Sequence, residues 1–472
     1  MQTNKDLYQA HRLMQQRLGM ALLQGEPDVP ESPMRRQNVA TFGGVLVGIL
    51  VLAVFGIWGL VSPGNATKLT EPGQLLVEEE SGATYVYSAK QRRLLPVANY
   101  VSARLVLDAG EVRTRNVSAA SLTEFARGPV IGIEGAPDSL PEREKLVKKP
   151  WSVCVHDGPD KLGESKSYTS LVAGTDVGGK PIGMNAMVVT DGRQNWMIWA
   201  DRRMRMDANG VRALNAQPRK VPSAWLNALP AGRDFRGPRV VGLGRKVRAG
   251  GKVTAAVGQI FTVPAVPGTP ARWYVLLTDG LAPISPVQAR LLLEDPNSKK
   301  AYGSRPALPI TIDAASANAS PSKQNMLDRS LPTAMPTMMD PPGSAPLCLT
   351  YPNTQTGSVV AKVTVGGNGF TMPTPTSTGN QDRFDQVLLP PGGAVIAGLL
   401  PGEGQLSAVT TSLSLISEQG VRYPVPSADV LTKLGYDAAD VTPVPASILR
   451  LIPQGPTLDP AAALTPMNVL SG

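Results

Sequence analysis

The sequence predicts a mainly β protein with small helices (α+β), preceded by an amphipathic helix and one transmembrane helix. Three observations predict it. An uncharged apolar run, Ala40 to Val61, stands near the start of the 472 residues. The 47 glycines and 44 prolines interrupt long helices, while 42% hydrophobic residues leave enough apolar material for cores, so short strands joined by many turns are expected. Beyond the run the chain repeats itself, which calls for units that stack or pair by pseudo-two-fold symmetry, because one such unit cannot bury its apolar face alone.

The first element is an amphipathic helix over residues 1–24. Leu7, His11, Met14, Leu18 and Leu22 recur at spacings of three and four and form one stripe, with Lys5, Arg12, Gln16 and Arg17 mostly off it. That stripe either lies on a membrane surface or docks on another subunit. A breaker-rich hinge, 25–39, leads to the apolar run at 40–61. About 20 apolar residues suffice to cross a hydrocarbon core. A cleavable signal peptide would have a shorter apolar stretch nearer the first methionine and a small-residue cleavage site; the exit Ser62-Pro63-Gly64-Asn65 lacks one. Arg35 and Arg36 precede the run and the next cation is Lys68, so the positive-inside bias puts the N-terminus in the cytoplasm and the bulk of the chain outside.

The two cysteines, Cys154 and Cys348, both fall in that exported part, where an oxidising envelope lets a disulfide persist; they are expected to pair, the alternative being two unrelated buried thiols. About 400 exported residues exceed one core, so several subdomains are expected. Gly73 to Leu107 aligns with Gly258 to Leu293, both opening on Gly-Gln and closing on Ala-Arg-Leu, and Val221 to Gly232 resembles Val444 to Gly455. The resulting division is a first repeat over 62–120, a central region and second repeat over 121–257, a third repeat over 258–303, a connector with the second cysteine over 304–350, and a fourth repeat with the C-terminal region over 351–472. The net charge of +9 is read as scattered over a solvated surface facing anionic lipids or envelope polymers, without nucleic acid.

No catalytic residue, metal site or cofactor is expected. The two histidines, His11 and His156, lie on opposite sides of the anchor, so no histidine cluster or Ser-His-Asp set can be assembled. Glu142 and Glu144 have no second site to make them acid and base. The weak nucleotide candidates are Gly174, Gly179 and Lys180 in GTDVGGKP, which has the G-x-x-x-x-G-K spacing of a phosphate cradle. Pro181 there replaces the Mg²⁺-binding Ser or Thr and would obstruct the helix that must follow, so a β-hairpin turn is the preferred reading.

Lys5-Asp6-Leu7-Tyr8, Pro33-Met34-Arg35-Arg36 before a single anchor, Gly82-Ala83-Thr84-Tyr85-Val86, Pro96-Val97-Ala98-Asn99 and Ser102-Ala103-Arg104-Leu105 together resemble the EccB component of the actinobacterial type VII (ESX) secretion system. Gly128 to Pro137, Trp151 to Cys154 and the distant Cys348 extend the resemblance over the whole chain. It implies an elongated periplasmic domain of repeats around a central domain, similar in the repeats to a cell-wall-binding phage lysin subunit. It also implies a single-pass inner (plasma) membrane protein, homo-oligomeric within a hexameric assembly, with EccC (the motor), EccD, EccE and the mycosin protease as partners. The leading function is a structural core subunit of that machine. The alternatives are a nucleotide hydrolase (ATPase) of the same system, a label sometimes given to the family, and a cell-wall-binding envelope protein.

Overall fold

The computed structural model describes residues 4–25, 33–61, 68–107, 112–249, 253–367, 371–375 and 382–467. The chain divides into two compact units, one of Met1–Glu71, Leu76–Ala83 and Thr114–Phe125, the other of Pro72–Leu75, Thr84–Arg113 and Ala126–Gly472.

In the first unit, α1 (Asn4–Gln24) stops at Gly25, whose φ of 74° and N–H bond to the Ala21 carbonyl at 3.0 Å make the left-handed helix end that glycine tolerates. α2 (Pro33–Val61) has proline at its first position, where a missing N–H costs nothing, and its 29 residues span about 43 Å. Its stretch Gln37–Trp58 is long and apolar enough to cross a membrane, with a mean hydropathy of 2.5, and begins three residues before the expected Ala40. Residues 33–39, read from sequence as hinge, are instead the opening turns of this helix. The rest of the hinge, 26–32, and the exit after Val61 lie outside the described residues. The same unit buries Leu76, Val117 and Leu122, and the Glu79 N–H donates to the Val117 carbonyl at 3.0 Å.

Four times the chain builds one motif: three strands, a helix, a fourth strand and a short helix. The first is β1 (Gln74–Glu78), β2 (Thr84–Ser88), β3 (Arg93–Pro96), α3 (Tyr100–Leu107), β4 (Arg113–Val117) and α4 (Ala119–Leu122). After β5 (Trp151–Pro159), β6 (Ser165–Ala173) and β7 (Lys180–Pro181) comes the second: β8 (Ala186–Thr190), β9 (Asn195–Trp199), β10 (Arg202–Met206), α5 (Ala208–Leu214), β11 (Arg219–Lys220) and α6 (Ser223–Ala228). A hairpin of β12 (Lys246–Ala249) and β13 (Val253–Ala256) leads to the third: β14 (Ile260–Val263), β15 (Arg272–Leu276), β16 (Leu281–Ile284), α7 (Pro286–Glu294) with α8 (Pro296–Lys299), β17 (Ile310–Thr311) and α9 (Ala314–Ala319). β18 (Leu347–Tyr351), β19 (Lys362–Val365) and β20 (Gln386–Leu388) precede the fourth: β21 (Val395–Leu400), β22 (Leu413–Ile416), β23 (Arg422–Val425), α10 (Ala428–Lys433), β24 (Val441–Pro445) and α11 (Ala446–Leu449), with α12 (Pro460–Ala463) beyond it.

In each motif the strand order is third, second, first, fourth. In the last three the fourth strand runs parallel to the first, since the intervening helix carries the chain back across the sheet. Local sequence starts each of those helices. Asn99 accepts from the Ser102 N–H at 2.9 Å, Asp207 from Gly210 at 2.9 Å, Ser285 from Gln288 at 3.1 Å and Ser427 from Val430 at 3.3 Å, each a cap that contributes about 1 kcal/mol. The third strand's outer edge is shielded in the same way every time, by a later segment bridging at Leu94 to Arg127, Arg203 to Ala231, Leu281 to Pro321 and Arg422 to Gln454. At the third of these, Gly280 has φ of 145° and an added Cβ would sit 2.4 Å from the Ser320 carbonyl oxygen, so the closure requires glycine.

The sequence matches now have a structural meaning. Residues 73–107 and 258–293 are the first three strands and helix of motifs one and three, whereas 221–232 and 444–455 contain the last helix of motifs two and four. All four segments are therefore pieces of one motif. The third motif runs on through β17 and α9 to Ala319, beyond the expected limit at 303, and the stretch 304–350 is only in part a connector.

Within the second unit a six-stranded sheet, ordered β20-β6-β5-β18-β19-β7, is drawn from two separated stretches of chain. The division at 350 cuts through it. Motifs two and four share its core: Trp151, Val153 and Leu349 of the sheet pack with Trp225 of α6 and Ile448 of α11. Beyond them, Leu214 of α5 meets Val287 and Leu291 of α7, and Val101 and Leu105 of α3 meet Leu431 of α10 and Ala463 of α12. Exchanging motif one with three and two with four reproduces this pattern, which is the pseudo-two-fold relation the repeats predict.

Cys154 and Cys348 face each other across β5 and β18 with Cα atoms 4.1 Å apart, both buried, and are joined as a disulfide. The closed loop of 194 residues corresponds to about 5 kcal/mol in the chain-entropy model. Replacing both by serine is expected to lower the unfolding free energy by about 2–5 kcal/mol in denaturant titration. Alkylation of the native protein without reductant is expected to label neither thiol.

Candidate assembly surfaces

On α1, Leu7, Met14, Leu18 and Leu22 are 61–80% exposed, and His11 is exposed with them, so the predicted stripe presents itself to solvent. Leu13, at 55%, lies on the other side of the helix by its spacing, and Tyr8 is exposed at 71%. The apolar surface is wider than the stripe read from the sequence. A helix that leaves this much leucine and methionine uncovered gains little by itself, because burying each such side chain contributes about 1.5–3 kcal/mol. Arg35 and Arg36 belong to the opening turns of α2.

The nucleotide candidates do not form a phosphate cradle. Such a cradle needs backbone N–H groups converging on an open space at the start of a helix. Here the Gly174 N–H donates to the Pro150 carbonyl at 2.9 Å, the Gly178 N–H to the Asp176 carboxylate at 3.0 Å, and Lys180 enters a two-residue strand. An added Cβ at Gly179 would lie 2.7 Å from the Gly366 carbonyl oxygen, so neighbouring backbone already occupies the space. The expected β-hairpin turn is also absent. β7 pairs with β19, with Pro181 opposite Thr364, and the loop crosses the sheet instead of joining neighbours β6 and β7.

Glu142 and Glu144 flank Arg143, which pairs with Asp437 at 2.7 Å and Asp440 at 3.4 Å and fastens this stretch to motif four. Among the described residues no group of three or more His, Cys, Asp or Glu side chains could hold a metal ion. His156 sits on β5 with its ring 6.1 Å from that of Tyr168, 8% exposed, and neither ring nitrogen reaches a protein partner in hydrogen-bond geometry. Burial pushes its pKa below the ordinary value, against the opposing pull of the Pro373 carbonyl, Asp157 and Asp385.

One concave feature escaped the sequence reading. A cleft of about 1320 Å³ lies where the segment after α6, the start of α8 and residues 325–329 converge. The scattered-charge reading needs correction here: residues 233–248 alone hold six arginine and lysine side chains against one carboxylate, Asp234. A count of charge in a sliding window would have found that run, though not the loops that complete the cleft.

An apolar helix of membrane-crossing length, four copies of one strand-helix motif, a disulfide-closed sheet, and exposed apolar and cationic surfaces define a membrane-anchored scaffold protein. The chain belongs to the EccB family, since the family model T7SS_ESX1_EccB, described as type VII secretion system ESX-1, transport TM domain B, matches residues 1–471. Among similar proteins, the ESX-3 secretion system ATPase EccB3 of Mycobacterium tuberculosis is 26% identical over 97% of this chain and 88% of its own length. The ESX-5 secretion system ATPase EccB5 of Mycobacterium marinum is 25% identical over 98% and 92%. A chain in the structure of an intact ESX-5 inner membrane complex shares the fold with a TM-score of 0.62 at 24% identity, covering 100% of this chain and 97% of that one. The structure of the EccB3 dimer from the ESX-3 core complex matches with a TM-score of 0.59 at 25% identity, covering 83% and 99%.

The His156 environment makes a pH prediction. The unfolded chain protonates this imidazole more readily, so the stability of the neutral buried form is full above about pH 6.5 and is lost as pH falls from there through the lowered native value. Between pH 7 and pH 5 the melting temperature is expected to fall more steeply for the native protein than for His156→Phe.

Proposed function

We propose that this chain is a structural, membrane-anchored core subunit of a type VII secretion machine. α2 fixes it in the inner membrane as a single span with the N-terminus cytoplasmic, an orientation supported by Arg35 and Arg36 before the apolar run and no cation until Lys68. The repeats then form part of a periplasmic assembly, as copies within a hexameric complex. α1 ties that assembly to the motor EccC, with EccD, EccE and the mycosin protease as the other partners; no nucleic acid takes part. The observation that carries this reading is the exposed apolar surface of α1, joined through one membrane helix to the four-motif domain. A protein that served only to bind cell wall would have no use for that surface.

Leu18→Asp puts a charge into the apolar seam, and an unpaired buried charge is costly. It is expected to release EccC and EccD on affinity purification from detergent-solubilised membranes, while the protein stays inserted. Gln16→Asp, off the stripe, is expected to copurify the full complex. Equal copurification by both variants would move the assembly role to α2 or to the repeats.

The competing reading, a nucleotide hydrolase, draws on GTDVGGKP and on the word ATPase in the relatives' names. Its phosphate contacts would have to come from Gly174, Gly179 and Lys180, where the Gly366 carbonyl already lies 2.7 Å from the position of an added Cβ at Gly179. Lys180→Ala is expected to leave secretion unchanged, and the purified protein to show no ATP hydrolysis that this substitution removes.

A further inference from the structure

The cleft between motifs two and three is lined by four carboxylates and five cations, but their availability differs. Asp207 caps α5 through the Gly210 N–H, and Asp295 caps α8 through the Asn297 N–H at 2.9 Å. Asp328 accepts from the Ser330 N–H at 2.9 Å and pairs with Arg233 at 3.5 Å, and Asp234 pairs with Arg236 at 3.9 Å. All four acids are therefore engaged. Arg239, Lys300 and Arg329 are exposed, and no carboxylate among the described residues lies within ion-pair distance of them. The positive surface continues along the chain into Arg245, Lys246 and Arg248, all exposed, of which the last two are on β12.

The walls that hold these cations are built into the fold. Phe235 is fully buried and bridges to Met206 at the edge of β10, and an added Cβ at Gly237 would sit 3.3 Å from the Leu292 side chain, so the segment lies close against α7. Exposed apolar side chains alternate with these cations along the chain: Val241, between Arg239 and Arg245, is 75% exposed, and Leu327, in the cleft lining, 48%.

We infer that this cleft is a binding site for an extended acidic polypeptide segment of another protein. Guanidinium groups offer paired N–H donors that match carboxylates, and a positive track leading out of a cleft suits an extended anion better than a compact one. The interspersed Val241 and Leu327 favour a peptide, whose apolar side chains they can cover, over a phosphate-rich glycopolymer, which has none.

The test uses the full-length protein in detergent and a fluorescent short peptide of alternating Glu and Leu, followed by anisotropy, with inorganic polyphosphate as competitor. Arg239→Glu with Arg329→Glu is expected to weaken peptide binding by about tenfold or more. Lys90→Glu with Lys161→Glu makes the same change in net charge elsewhere and is expected to cost less than about twofold. Equal weakening by the two pairs would mean attraction to net charge alone and would overturn the site. Polyphosphate that binds more tightly than the peptide and depends equally on Arg239 and Arg329 would overturn the peptide assignment in favour of a phosphate polymer. Both pairs must melt with the native protein; should the reversal fail to fold, Arg239→Gln with Arg329→Gln replaces it, and the same selective loss is required.

Discussion

The pairing of β5 with β18 is the joint on which the second unit depends. Trp151 to Val155 lie opposite Tyr351 to Leu347, and the disulfide locks that register at its Cys154 and Cys348 pair. Motifs two and three fall within the loop it closes, and motifs one and four outside it, so the cross-link marks the seam between two equivalent halves. Each half sends its inner motif against the same sheet: Trp225 comes from one side and Ile448 from the other. The Tyr351 hydroxyl, donating to the Ala228 carbonyl at 2.6 Å, adds a second tie between the sheet and the end of α6.

Repetition explains why the halves match. A three-stranded meander with a capped crossover helix leaves one helix face uncovered, and a neighbouring copy covers it: α5 takes α7, and α3 takes α10 and α12. The same logic accounts for the strings that made the repeat visible. In motif three the Gly-Gln opening places Gln259 in the core, where its side chain accepts from the Ala256 N–H and donates to the Ala301 carbonyl, both at 3.1 Å. The closing Ala-Arg-Leu puts Ala289 and Leu291 on the buried side of α7, and Ala103 and Leu105 on that of α3, with the arginine between them turned elsewhere. These residues recur because buried hydrogen bonds and tight helix packing admit few substitutes.

What the sequence left unreadable follows from the same physics. Strands β8 and β21, which open motifs two and four, carry only a run of buried apolar residues, and many sequences satisfy that requirement. Their kinship with β1 and β14 leaves no string to match. The central sheet was hidden because its strands come from separated stretches, and only the cysteines hinted that 151–159 and 347–351 meet. The loop at Gly174 looked like a turn because glycine with positive φ suits both a hairpin and a crossing; its partner at Val365 lies far along the chain. The apolar run and the stripe on α1, by contrast, are local periodicities and were legible from spacing alone.

The seam of this fold is filled by large aromatic side chains. Trp151 and Trp225 are fully buried there, and His156 is 8% exposed. These indole rings are the largest side chains available to fill the space where two motifs and a sheet converge. The arginine-lined cleft lies away from that seam, on the flank between motifs two and three. Stability is thus concentrated at the seam, whereas the binding site inferred for the cleft is carried by loops.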